Sequence, residues 1–562
     1  MARWLSVLAL FSFSLQYSPS PAANQQPLSG DFSQLSNLAY SVTQGDNPSN
    51  NGCWDLNKGL TDNTTANLVF STASSLLQSI PNQRYRNGHT IVPAIVQSGA
   101  ILYHGRGDAE VPTMDWVAFE PEVSQYFCRT FGGPSKHCWF HTFVVDRPLR
   151  VLYFDGAAVA LGALSRGSMD SQDIFAWGEL RPDMALEEGL RIRQMCKRAL
   201  RLGLDGFIRT GVISEIMLCD FGSIKLVSSR HLKSASTTPV SVSSTTGEIP
   251  LYTEPISLEV IQVLRLLRRF EHYPGLGYVR LDLTHLVSFY DTKLAPSLIA
   301  PRSGKHRLGH RLFGINKEDT LRMRKYLEEQ IVETPWSSLQ AVENTVDWPT
   351  YLHWIINLNG ENLEDIRLVL SGTQSNTRPS NQREQAKNAF RLIEDIVQRF
   401  ILYSVSPGEN SSDLAWASPV FRECALSHSL PISTISLTTS EALLRDAAEG
   451  TTRELCRVLT KMWATGVREG LSSLFNTTVA QPNSLSWSVL LDIWKQELGN
   501  LMDWLDWNIW IRCKPACREQ ELCYIPTWPI SIGNVSLPVW REDDPQPRCL
   551  RTVPPYIYAD DY

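Results

Sequence analysis

The apolar positions of this chain change their period near its middle. Up to about residue 230 they form short runs of strand character: "AILYH" (100–104), "HTFVV" (141–145), "LRVLYF" (149–154), "GFIR" (206–209), "EIMLC" (215–219) and "IKLVS" (224–228). One helical pattern stands among them, "DMALEEGLRIRQMCKRALRLG" (183–203). Asp183 is its expected cap, Leu186, Leu190, Met195 and Ala199 keep helical spacing, and Gly203 is its expected stop. From about residue 255 the pattern is helical throughout. "EVIQVLRLLRRF" (259–270) opens it, and "NKEDTLRMRKYLEEQI" (316–331) follows with Asn316 as cap. "EQAKNAFRLIEDIVQRFI" (384–401) comes next, then a run that starts on a Thr438–Glu441 capping box. The last helix puts Trp487, Leu491, Trp494, Leu498 and Leu501 on one stripe, the spacing of a buried face.

Between the two regimes lies "LKSASTTPVSVSSTTGEIP" (232–250), whose Ser, Thr and Pro cannot build a core. The expected layout is therefore an α+β domain over 53–230, a linker over 231–254, a mainly α-helical domain over 255–510 and a Cys/Pro-rich tail over 511–562. Ahead of these, Arg3, an apolar run over 4–15 and the small residues of 18–23 predict a signal peptide over 1–23. Residues 24–52 are polar and read as a disordered segment.

Composition adds a compartment. Sequons at Asn63, Asn410, Asn476 and Asn534 agree with a secreted glycoprotein, and no later run is long and apolar enough to span a membrane. A net charge of −6 with no basic groove gives no reason to expect nucleic acid as a partner. The 11 cysteines are an odd number, so at least one has no partner within the chain. Cys513, Cys517, Cys523 and Cys549 lack the tight CxxC knuckle of zinc sites and read as two disulfides. Cys196 and Cys219 fall on apolar faces and read as core residues.

Two positions raise the question of chemistry. His104 ends a strand just before Gly105, where the backbone can turn and a ligand can approach. Glu215 falls on the apolar face of a strand, with Ile213, Met217 and Cys219. A carboxylate there needs a partner, for instance an arginine of the helix at 191–201, or a cleft. "LYHGR" (102–106), "WVAFEPEVSQYF" (116–127) and "SEIMLCDFGSIKLV" (214–227) together resemble the three motifs of the His-Tyr-Glu ADP-ribosyltransferases. The resemblance covers residues 95–230 and implies a split β-sandwich and NAD as substrate, for ADP-ribosyl transfer or NAD hydrolysis. It implies that His104 binds the adenosine ribose, that an aromatic side chain stacks on nicotinamide, and that Glu215 holds the reacting ribose and its positive charge. The family's stacking tyrosine has no clean counterpart: Ala118 or Phe119 stands at its place, with Trp116 and Tyr126 as substitutes. The chain as a whole also resembles large secreted proteins of filamentous fungi that have no assigned function. A non-enzymatic interaction glycoprotein is the alternative reading.

Other patterns point to structure. Asp170 and Asp173 in "MDSQDIFAWGE" (169–179) read as the charged start of a helix, and Glu179 is the third carboxylate there. "HRLGH" (306–310) spaces His306 and His310 as a zinc helix would, but it lacks the glutamate of HExxH and reads as a solvated basic loop. Arg106-Gly107-Asp108 serves a turn. The chain has no G-x-S-x-G elbow, P-loop or dinucleotide fingerprint.

Overall fold

The computed structural model describes residues 54–59, 64–130, 137–157, 169–184, 187–210, 214–233, 277–337, 346–372, 381–407, 413–429, 432, 435–475, 486–525 and 546–553. All of them belong to the unit spanning residues 50–562. The expected signal peptide, the polar segment, the helix at 259–270, the four sequons, Cys53 and the Ser/Thr/Pro segment beyond residue 233 lie outside the described residues.

The strands are β1 (Thr90–Val96), β2 (Ile101–Arg106), β3 (Asp115–Ala118), β4 (Cys138–Val144), β5 (Leu149–Ala157), β6 (Gly206–Thr210), β7 (Ser214–Leu218), β8 (Lys225–Leu232), β9 (Val279–Leu281), β10 (Val287–Ser288), β11 (Glu521–Tyr524) and β12 (Arg548–Arg551). The helices used below are α1 (Ala66–Ser74), α2 (Pro121–Thr130), α3 (Asp170–Trp177), α4 (Glu188–Ala199), α5 (Lys317–Glu333), α6 (Trp348–Ser371), α7 (Gln382–Val397), α8 (Ser418–Leu426), α9 (Thr439–Arg468) and α10 (Trp487–Leu505).

Ten strands form one mixed sheet in the order β10-β1-β5-β6-β7-β3-β2-β4-β8, with β9 also on β1. Only β5 and β6 run parallel among these pairs, and α3 and α4 lie in their connection, the long crossover that parallel neighbours need. Every residue of β1 is buried, so its sequence reads as a continuous apolar run instead of alternating. β8, at the sheet's edge, is mostly exposed and polar.

Each face of the sheet has its own core. Leu102, Val117, Phe143, Tyr153, Ile216 and Leu218 join a large cluster that continues through α6 to α10. On the other face Leu152, Phe154, Phe207 and Met217 pack with Ile174 of α3, Ile192 and Met195 of α4 and Met323 of α5. The alternation read from 213–219 thus divides Met217 and Cys219 from Ile216 and Leu218.

Elements on both sides of the Ser/Thr/Pro segment share this architecture. β9 and β10 follow it in sequence and pair with β1, which precedes it. Conversely α1 sits among the C-terminal helices: Asn67 Nδ2 donates to the Trp504 carbonyl at 2.5 Å, and Phe70 stacks on Trp507 at 6.0 Å between centroids.

Local signals mostly hold where their partners are near in sequence. Asn316 caps α5 by accepting from the Asp319 amide at 2.7 Å. Thr438 and Glu441 form the expected box at the start of α9. Leu491, Trp494, Leu498 and Leu501 are buried along α10, with Trp487 half-buried beside them. Gly203 takes a left-handed φ of 73° and ends the turn after α4. Asp183 is not that helix's cap: it sits in a separate short turn ion-paired to Arg181, and Glu187 occupies the cap position.

Five disulfides join Cys128–Cys138, Cys196–Cys219, Cys424–Cys456, Cys513–Cys523 and Cys517–Cys549. Cys196 and Cys219 are therefore bonded to each other, a correction to their reading as plain core residues. The apolar faces that suggested packing are the two surfaces the bond joins, α4 and the end of β7. The sulfurs of Cys513, Cys517 and Cys549 lie close together, but each is consumed in a disulfide and leaves no thiolate for zinc. Among the described residues no helix is long and apolar enough to cross a membrane.

Candidate functional site

His104 lies inside β2, 6% exposed, and the strand does not end there as expected but runs on through Gly105 and Arg106 in register with β4. Its Nδ1 donates to the Trp116 carbonyl at 2.5 Å, and Nε2 stands 3.8 Å from Asp115 Oδ2. The ring stacks parallel to His141, its β4 neighbour, and meets Phe221 edge-on. Burial lowers its pKa, with Asp115 opposing. Gly105 follows because α2 crosses there: a Cβ would collide with the Ser124 carbonyl. The close approach expected of a ligand at this glycine is thus made by the protein's own backbone.

Glu215 starts β7 and is 2% exposed. It pairs across the ladder with Arg209 of β6, Nη2 to Oε2 3.4 Å, and the same nitrogen reaches Glu188 Oε2 of α4 at 2.9 Å. The guanidinium lies flat over Trp116, 3.6 Å from the ring centroid, a cation–π contact. Burial raises the Glu215 pKa and Arg209 opposes it. The charge that answers Glu215 thus comes from the adjacent strand, not from the basic helix as expected. In that helix Arg191 binds Asp173, which explains why Asp173 of α3 is buried.

The register separates the two residues. Tyr103 is opposite Ala118, which is opposite Glu215, so these three share a face, while His104 is one residue out of step. β3 runs between their strands. His104 contacts Phe221 of one core, whereas Glu215 stands on the face of Met217 and the other core. The aromatic candidates divide likewise. Trp116 packs against the core on the Glu215 side, and Phe119 against the opposite one. Tyr126 belongs to α2, with its side chain outside the described set.

A second cluster escaped the sequence reading. Below the start of β1, His89 stacks on Tyr290 at 4.3 Å between centroids, and the Tyr290 hydroxyl lies 3.2 Å from His310 Nδ1. Asp155 Oδ1 accepts from the His89 and Thr90 amides, each at 2.7 Å; burial pushes its carboxyl up to about 7. Tyr85 donates to Asp506, and Arg307 lies over the Tyr85 ring at 3.9 Å. Beside them opens a cleft of about 530 Å³, lined in part by Asn67, Arg302, Lys305, Arg307, His310 and Trp504. Lys305 and His306 of "HRLGH" are exposed as the loop reading expects, but Arg307 and His310 are buried. The signal was present as three cations and two histidines in the nine residues 302–310. Their partners at 85–89, 155 and 506 are too distant in sequence to be seen.

Comparison with known proteins gives relatives without a stated activity. Residues 129–246 match a family described as the YPL277C N-terminal domain. The chain is 22% identical over 544 residues to the uncharacterized protein YOR389W of Saccharomyces cerevisiae, covering 83% of this chain and 82% of that one. It is 27% identical over 214 residues to the uncharacterized protein YPL277C of the same yeast, covering 30% of this chain and 43% of that one. No solved structure matches. None of these similarities points to the ADP-ribosyltransferase family.

Proposed function

We propose that this chain is a secreted, disulfide-stapled glycoprotein that acts by binding, and not by ADP-ribosyl transfer through His104 and Glu215. The observation that carries this reading is the register through Tyr103, Ala118 and Glu215, which turns Glu215 away from His104 and toward Arg209. NAD chemistry of the resembled kind needs a carboxylate open to the reacting ribose, in one cleft with the histidine. Here Glu215 is closed in by Arg209, Glu188 and Trp116. Secretion is supported by the disulfides, which persist in oxidising compartments, together with the signal peptide and sequons read from the sequence.

The test is nicotinamide release from NAD by the full-length secreted protein, with Glu215→Gln beside it. Neither protein should release nicotinamide above the buffer rate. Turnover by the wild type that Glu215→Gln abolishes would overturn the reading and restore NAD as substrate.

A further inference from the structure

We infer that the cleft beside Arg302 binds the oxyanion group of a small ligand, a phosphate or a carboxylate, with Arg302 as its anchor. Arg302 ends a short helical turn, Ile299–Arg302, and is 8% exposed. Its Nη1 donates to the Phe289 carbonyl at 2.8 Å, and its guanidinium lies 4.6 Å from the Tyr290 ring centroid. Nε and Nη2 are buried with no acceptor. No carboxylate among the described residues pairs with it, in contrast to Arg191, Arg209 and Arg457. Nε and Nη2 form one edge of the guanidinium fork, two parallel donors spaced for two oxygens of one carboxylate or phosphate. A buried guanidinium with that edge empty is costly, and an oxyanion seated on it would remove the cost.

The surroundings favour an anion. Arg307, also 8% exposed, lies on the same wall, and Lys305 and His306 stand at the rim. The N-terminus of α1 meets the cleft through Thr65, Asn67 and Leu68, and no side chain caps it. Thr65, at the cap position, instead donates its hydroxyl to the Tyr290 carbonyl at 2.8 Å. Uncapped amides at a helix start add positive potential. Two carboxylates also line the cleft. Asp506 is engaged by Tyr85 and by Arg307 at 3.8 Å, and Asp503 is exposed. The volume of about 530 Å³ suits a small molecule, and Trp504, Phe289 and Ile299 offer its remainder an apolar wall.

The inference rests on the binding reading only in that the ligand is held and not turned over. Phosphate binding and NAD turnover are measured separately, and either can fail alone. The test is thermal unfolding and calorimetric titration of the full-length secreted protein with inorganic phosphate, with acetate, and with sodium chloride at matched ionic strength. Phosphate, acetate or both should raise Tm saturably where chloride does not, and the stronger of the two identifies the oxyanion. Arg302→Lys, which keeps the charge but loses the fork, should weaken binding about 10- to 100-fold. Lys305→Met, at the exposed rim, should weaken it a few-fold with no change in Tm without ligand. The inference is overturned if neither anion exceeds chloride, or if both variants bind as tightly as the wild type.

Discussion

Arg209 stands between two carboxylates, 2.9 Å from Glu188 and 3.4 Å from Glu215, with the Trp116 ring beneath it. The arrangement is asymmetric. Glu215→Gln leaves Arg209 a partner in Glu188 and is expected to cost about 1–2 kcal/mol. Arg209→Met leaves two buried carboxylates facing each other and is expected to cost about 3–5 kcal/mol. Urea unfolding of both variants measures the difference; equal costs would mean that Glu188 does not share the load.

The Cys196–Cys219 bond ties α4 to the end of β7 across 23 residues. Replacing both cysteines by alanine is expected to lose about 3 kcal/mol, because a loop of this length regains its freedom in the unfolded chain. Denaturation without reductant reads this. A double variant as stable as the wild type would show the bond to be redundant with the core around Met195.

Asp155 makes stability depend on pH in a direction opposite to most carboxylates. Its folded pKa of about 7 lies above the unfolded value of roughly 4, so between these the native state holds a proton that the unfolded chain releases. Its contribution is therefore present below about pH 4 and is lost as pH rises to about 7. His310, lowered to about 4 chiefly by burial, acts the other way: its contribution is present above roughly pH 6.5 and is lost as pH falls toward 4. The test is the difference between Asp155→Asn and wild type at pH 5 and pH 7.5. The variant should gain stability relative to wild type at the higher pH, and a difference that does not change with pH would contradict the assignment.

Thr438 caps α9 and also donates its hydroxyl to the Thr284 carbonyl at 2.6 Å, while Glu441 accepts from the Trp348 indole at 3.1 Å. The capping box therefore joins α9 to the turn before β10 and to α6. Thr438→Ala is expected to cost about 1–2 kcal/mol, and Thr438→Ser much less, by chemical denaturation.

What the sequence revealed of this structure depended on how far away each partner lies. The Asn316 cap, the α9 capping box and the α10 stripe involve residues within a few turns of one another, and all three are present. The alternation of 213–219 correctly set Glu215 on an apolar face, because a strand's period is local. Its partner was expected from the basic helix, since only pairing of β6 with β7 brings Arg209 opposite it. The separation of His104 from Glu215 was equally out of reach: it follows from β3 standing between their strands and from a register that no motif encodes. The cation cluster at 302–310 looked solvated because the residues that bury it come from three other parts of the chain.

The pairing of β1 with β9 and β10 has a practical result for anyone handling the protein. A protease that cuts between residues 234 and 276 would leave fragments still held by a shared sheet and by α1 among the C-terminal helices. None of the five described disulfides links the two sides. Nicked material would therefore elute as one intact species from a sizing column and yet run as two bands in detergent without reductant, and neither piece expressed alone would be a faithful miniature of the whole.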